Sequence, residues 1–76
     1  MKNVLYDKNL TPIERLTMIF LYSQETKEVE ISIEQLCKII NCSNKTMIKA
    51  IDNLEKANYL KKNKRGQGKN NIYKIN

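Results

Sequence analysis

Histidine is absent from the 76-residue sequence, cysteine and glycine occur twice each, and no apolar run nears the ~20 residues a bilayer-spanning helix needs. Each absence excludes something. Without histidine, a GxxxxGK[ST] phosphate loop or a cysteine–base pair, the side-chain sets of acid–base and nucleophilic catalysis are missing, and no enzyme is expected. Cys37 and Cys42 alone cannot close a tetrahedral zinc site and read as buried or half-buried small apolar residues. Glu25, Glu28, Glu30 and Glu34 alternate along a short strand and helix start, as a solvated face does. Gly66-x-Gly68 lacks the following helix whose N-terminus would hold a phosphate. Neither cofactor nor metal is expected. The segment MKNVLYDKN has no apolar core of a secretion signal, so a cytoplasmic location is expected, where a structural disulfide is disfavoured.

What the chain does have is segregated charge. Residues 1–42 carry five Lys/Arg against six Asp/Glu, a balance of −1, whereas residues 43–76 carry nine against two, a balance of +7. A length of 76 residues suits one modest core, hence one domain over residues 1–76. Concentrating cations in one half of so small a domain predicts a surface for a polyanion.

The pattern along the chain predicts where that surface lies. Val4, Leu5, Tyr6 and Leu10 are available to a core. Thr11-Pro12-Ile13-Glu14 combines an N-cap, a proline suited to the first helical position and a capping-box glutamate. It opens a helix over 12–24 with Ile13, Leu16, Thr17, Ile19 and Phe20 as its inward stripe. Residues 28–31 alternate as a short strand. Ser32-Ile33-Glu34-Gln35 is a second capping box, opening a helix with Leu36, Ile39 and Ile40 inward and ending at Asn41. Two residues later Ser43 caps a third helix, 44–58, with Met47, Ala50, Ile51 and Leu54 inward and Lys45, Lys49, Asp52 and Lys56 outward. Two helices joined by so short a turn describe a helix-turn-helix, about 33–58. A hairpin over 59–75 follows, with a tip rich in cations around Gly66 and Gly68.

The order helix, strand, helix, helix, strand, loop, strand resembles a winged helix-turn-helix domain, an α+β fold of three helices with a small antiparallel sheet and a β-hairpin wing. The resemblance is sharpest over INCSNKTMIKAIDNLEKANYLKKNKRGQGKNNIYKI, where Asn41-Cys42, Ser43, Lys45-Thr46 and Arg65-Gly66-Gln67-Gly68-Lys69 fall at the family's turn, cap, recognition-helix start and wing. LYDKNLTPIERL further resembles the lead-in of N-terminal domains of plasmid replication initiators and phage replisome organisers. The resemblance implies a double-stranded DNA partner, with Asn44, Lys45, Thr46 and Lys49 on the recognition helix. The wing would add Lys62, Lys64, Arg65, Gly66, Gln67, Gly68, Lys69, Asn70 and Asn71. It also implies a plasmid, phage or other mobile element, a short repeated site at a replication origin, transfer origin or operator, and protein partners of a replication or transfer complex.

Two departures qualify it. Ile48 stands where the family is often polar or basic; it suits a thymine methyl, or packing against a neighbouring element or second subunit. Ile48, Val4 and Leu5 are the expected contacts of a homodimer. The recognition helix is lightly basic, so readout is expected to tilt toward the wing. There Arg65 and Gln67 suit an A·T-rich minor groove, with Lys62, Lys64 and Lys69 on flanking phosphates. Single-stranded or RNA binding needs stacking platforms, and the basic half offers only Tyr59 and Tyr73, both better placed for the core. The alternative function is a winged-helix interaction module that recruits an acidic partner.

Overall fold

The computed structural model describes residues 4–63 and 70–76. After a 3₁₀ turn at Val4–Tyr6 come α1 (Pro12–Ser23), β1 (Glu28–Ser32), α2 (Ile33–Ile40), α3 (Asn44–Lys56), β2 (Leu60–Asn63) and β3 (Asn70–Ile75). The helices pack on one another, and the strands form an antiparallel sheet in the order β1-β3-β2. This is the winged helix-turn-helix arrangement expected from the sequence.

Local chemistry places the boundaries. Thr11 and Glu14 cap each other at the start of α1: each side chain accepts the other's backbone N–H at 3.2 Å. Ser32 and Gln35 repeat the exchange at α2. Asn41 ends α2 in the left-handed conformation (φ 68°), tolerated by asparagine. Helix α3 stops at Lys56, two residues before the expected end, because Asn58 also turns left-handed (φ 64°) and sends the chain into β2.

The core joins Met18 and Leu21 of α1, Leu36 of α2, Met47, Ile51 and Leu54 of α3, and Leu60 and Tyr73 of the sheet. Tyr73, at the centre of the sheet, pairs with Val29 on one side and Lys62 on the other. The inward face of α3 is the expected one. That of α1 is the expected one only in part: Thr17 is buried and Ile13 and Phe20 pack against the core, but Leu16 and Ile19 are 48% and 40% exposed, with Glu14, Met18 and Leu21 buried instead. Apolar residues lie all round this helix, so periodicity alone does not select a face. Glu14 does: its second carboxylate oxygen accepts from Asn53 Nδ2 of α3 at 3.1 Å. Residues 14, 17, 18 and 21 share a face. Thr17, fully buried, donates to the Ile13 carbonyl at 2.8 Å and contacts Met47 Sδ at 3.7 Å. In α2 the same spacing puts Leu36 and Cys37 inward and leaves Ile39 51% exposed, against expectation. Val4 is buried in the core, which withdraws it from any subunit contact, while Leu5 and Ile48 are exposed.

Replacing Glu14 by alanine strands the Thr11 N–H and the Asn53 amide. Urea unfolding should show a loss of about 1–3 kcal/mol, with Glu14→Gln recovering only part of it, because its oxygen closes the capping box while its Nε2 cannot accept from Asn53 Nδ2.

Candidate nucleic-acid interface

The first turns of α3 carry the candidate recognition residues. Ser43 Oγ accepts the Thr46 N–H at 3.2 Å and donates to Thr46 Oγ1 at 2.9 Å. The cap thereby fixes the helix start and leaves the Thr46 hydroxyl proton free to donate outward. Asn44, Lys45, Thr46 and Lys49 are all exposed, while Met47, Ala50 and Ile51 in the same turns are buried. The core therefore determines which way the lysines point. Asp52 pairs with Lys56 at 3.1 Å, which draws its carboxylate toward the C-terminal turn; both groups are exposed, so the pair contributes little stability.

A cleft of about 360 Å³ runs between the start of α1 and this face of α3, with Ile13 and Ala50 as apolar lining and Lys45, Thr46 and Lys49 along it. Glu14 and Asn53 also line it, hydrogen-bonded to each other. Those two position the recognition helix against α1. Sequence reasoning identified Glu14 only as a cap, because a partner 39 residues away has no local signature.

The wing strands are tied to the same helix. Glu55 Oε2 accepts the backbone N–H of Lys62 at 3.1 Å, joining the last turn of α3 to β2. Lys62 is half-buried and Lys61 exposed. Asn70 and Asn71, both half-buried, each give one amide N–H to a neighbour, Asn70 to Glu30 Oε2 and Asn71 to the Tyr73 hydroxyl, both at 3.2 Å. Each retains a second N–H and a carbonyl, so one donor apiece is committed within the fold. Lys64, Arg65, Gly66, Gln67, Gly68 and Lys69 lie outside the described residues.

A third tie anchors the junction of α3 and β2. The Tyr59 hydroxyl donates to Asp7 Oδ2 at 2.5 Å, and Arg15 Nη2 donates to the Asp7 carbonyl at 2.9 Å. The bond to Asp7, with burial adding to it, pushes the Tyr59 hydroxyl up to about 12.

Helix, turn and capped helix with a basic outer face, followed by a two-stranded wing, are the parts of a DNA-binding helix-turn-helix. The chain belongs to the helix-turn-helix domain family, whose sequence profile matches residues 8–60, more than half of its length. Comparison with curated proteins and with solved structures finds no match. Among the described residues, no helix is long and apolar enough to cross a membrane.

The Tyr59–Asp7 bond has a pH signature. The folded protein holds the phenol proton up to about pH 12, whereas an unfolded tyrosine releases it near 10.0. The bond's contribution is therefore complete below pH 10 and is lost as the pH climbs toward 12. Tyr59→Phe should be less stable than the parent at neutral pH, and urea midpoints should show the difference shrinking across that alkaline window.

Proposed function

We propose that the protein binds double-stranded DNA sequence-specifically, marking a short repeated site on a plasmid, phage or other mobile element. The observation that carries this reading is the exposed row Asn44, Lys45, Thr46 and Lys49 on a helix whose opposite face is locked into the core. Groups held this rigidly at the start of a recognition helix suit a major groove. The balance of +7 in residues 43–76 supplies the attraction to phosphate. Lys62 extends the surface onto the wing, and Arg65 and Gln67 suit a narrow A·T-rich minor groove, with Lys64 and Lys69 on flanking phosphates. The protein acts by binding, without catalysis, in the cytoplasm, and brings a replication or transfer complex to its site. Leu5 and Ile48, both more than half exposed, are the apolar residues a second copy would cover. A second reading is an interaction module whose basic surface, the same +7 balance of residues 43–76, recruits an acidic protein partner.

Salt dependence separates the two. Neutralising about four to six phosphates predicts that log K falls with log[salt] at a slope of about −4 to −5 on a site-bearing duplex. A slope near zero would leave the interaction module.

Substitutions assign the surface. Lys45→Ala or Lys49→Ala should weaken binding by about 1 kcal/mol for a phosphate contact and more for a bidentate guanine contact. Thr46→Ala should do less. Arg65→Ala should cost more than Lys45→Ala, with Arg65→Lys recovering part of the loss. Equal small effects from Arg65→Ala and the control Lys27→Ala, measured by fluorescence anisotropy, would reduce the wing to bulk charge.

A further inference from the structure

The turn between α2 and α3 is closed by a bond from the N–H just past the left-handed residue to the carbonyl five residues earlier, and the same bond recurs after α3. After α2, the N–H groups of Asn41 and Cys42 both donate to the Cys37 carbonyl, at 2.7 and 3.1 Å. After α3, with Asn58 likewise left-handed, the Tyr59 N–H donates to the Leu54 carbonyl at 3.0 Å. Such a closure sets the residue just past the left-handed one against the residue whose carbonyl it caps, usually as an apolar contact. At the end of α3 the pair is Tyr59 and Leu54, both core residues. At the end of α2 it is Cys42 and Cys37.

Both cysteines are free thiols and line one open cavity at the turn, beside Glu34, Lys38, Asn41 and Asn44. Cys42 is half-buried, so reagents reach it through this opening, while Cys37 is buried behind it. Burial pushes the Cys37 thiol up, and the neighbouring Cys42 adds to the shift. A disulfide needs Cα atoms within about 7 Å, a condition that a hydrogen-bonded closure of this span meets. The motif thus brings two thiols together at the joint that aims the recognition helix.

We propose that Cys37 and Cys42 form a hydroperoxide-oxidisable dithiol whose closure to a disulfide reshapes the helix-turn-helix turn and weakens DNA binding. The second half rests on the function proposed above; disulfide formation does not. In the first step the Cys42 sulfur attacks a peroxide oxygen, the O–O bond breaks, and the sulfenic acid forms with release of water. In the second, the Cys37 sulfur attacks the Cys42 sulfur, the S–O bond breaks, and a second water leaves with the Cys37 proton. Two thiols and one hydrogen peroxide thus give one disulfide and two waters. Drawing the sulfurs to about 2.05 Å pulls Cys42 inward. Cys42 immediately precedes Ser43, whose side chain caps the turn bearing Lys45 and Thr46, so the displacement passes into the DNA-reading face. In a reducing cytosol such a bond is transient, as befits a sensor.

The test treats the full chain with hydrogen peroxide and reads both its denatured intact mass and its anisotropy-measured affinity for an A·T-rich duplex. The expected result is a monomer lighter by about 2 Da, with affinity lower by about tenfold, both reversed by reductant and both absent in Cys42→Ser and Cys37→Ala. Added oxygen atoms without the mass loss, a disulfide-linked dimer, or a disulfide with unchanged affinity would each overturn the proposal. Should the reduced protein fail to bind duplex at all, the proposed function falls. The mass then still decides the dithiol: a loss of about 2 Da upholds it, and its absence removes it.

Discussion

The buried carboxylate of Glu14 sits where the two requirements of this fold meet. One oxygen satisfies the Thr11 N–H at the start of α1, and the other accepts from Asn53 in the middle of α3. A carboxylate at the N-terminus of a helix is favoured by the helix dipole, which helps explain how it tolerates being only 3% exposed. Because it reaches α3 from that position, it fixes which side of an all-round apolar helix turns inward. Thr17, Met18 and Leu21 follow it into the core, and Leu16 and Ile19 are left outside. The outer face of α3 is then set by subtraction: with Met47, Ala50, Ile51 and Leu54 committed to the core, Lys45 and Lys49 point away from it.

The two left-handed asparagines do for the chain path what Glu14 does for the packing. Asn41 lets α2 end and α3 begin within a few residues, and Asn58 turns the chain from α3 into β2. The Glu55 carboxylate on the Lys62 N–H and the Asp7 carboxylate on the Tyr59 hydroxyl then secure the root of the wing from both sides. Acidic residues are scarce in the basic half: Glu55 is used inside the fold, and the exposed Asp52 is paired with Lys56, away from Lys45 and Lys49.

Much of this was legible in the sequence where the signal is local. The capping boxes at Thr11 and Ser32, the N-cap at Ser43 and the stop at Asn41 each depend on side chains that bond within a few residues. The inward stripe of α3 was legible because that helix is polar on its other side. The faces of α1 and α2 were legible only in part: Thr17 and Leu36 are inward as expected, but Leu16, Ile19 and Ile39 have the right chemistry for a core and lose their place only to contacts formed in three dimensions. The same holds for Asn53, whose role depends on a residue 39 positions earlier. Cys37 and Cys42 were read as small apolar residues, which their burial supports; their juxtaposition follows from a backbone closure that residue types alone do not announce.

The proposed function requires that the start of α3 and the basic wing meet one DNA duplex. Titrating the ¹⁵N-labelled protein with a short A·T-rich duplex at low salt, and following backbone amide shifts, tests it most directly. The largest changes are expected at Asn44, Lys45, Thr46 and Lys49 and along Lys62 to Asn71, with β1 and the outer face of α1 little altered. Changes centred on Leu16 and Ile19, or none at any site, would contradict it.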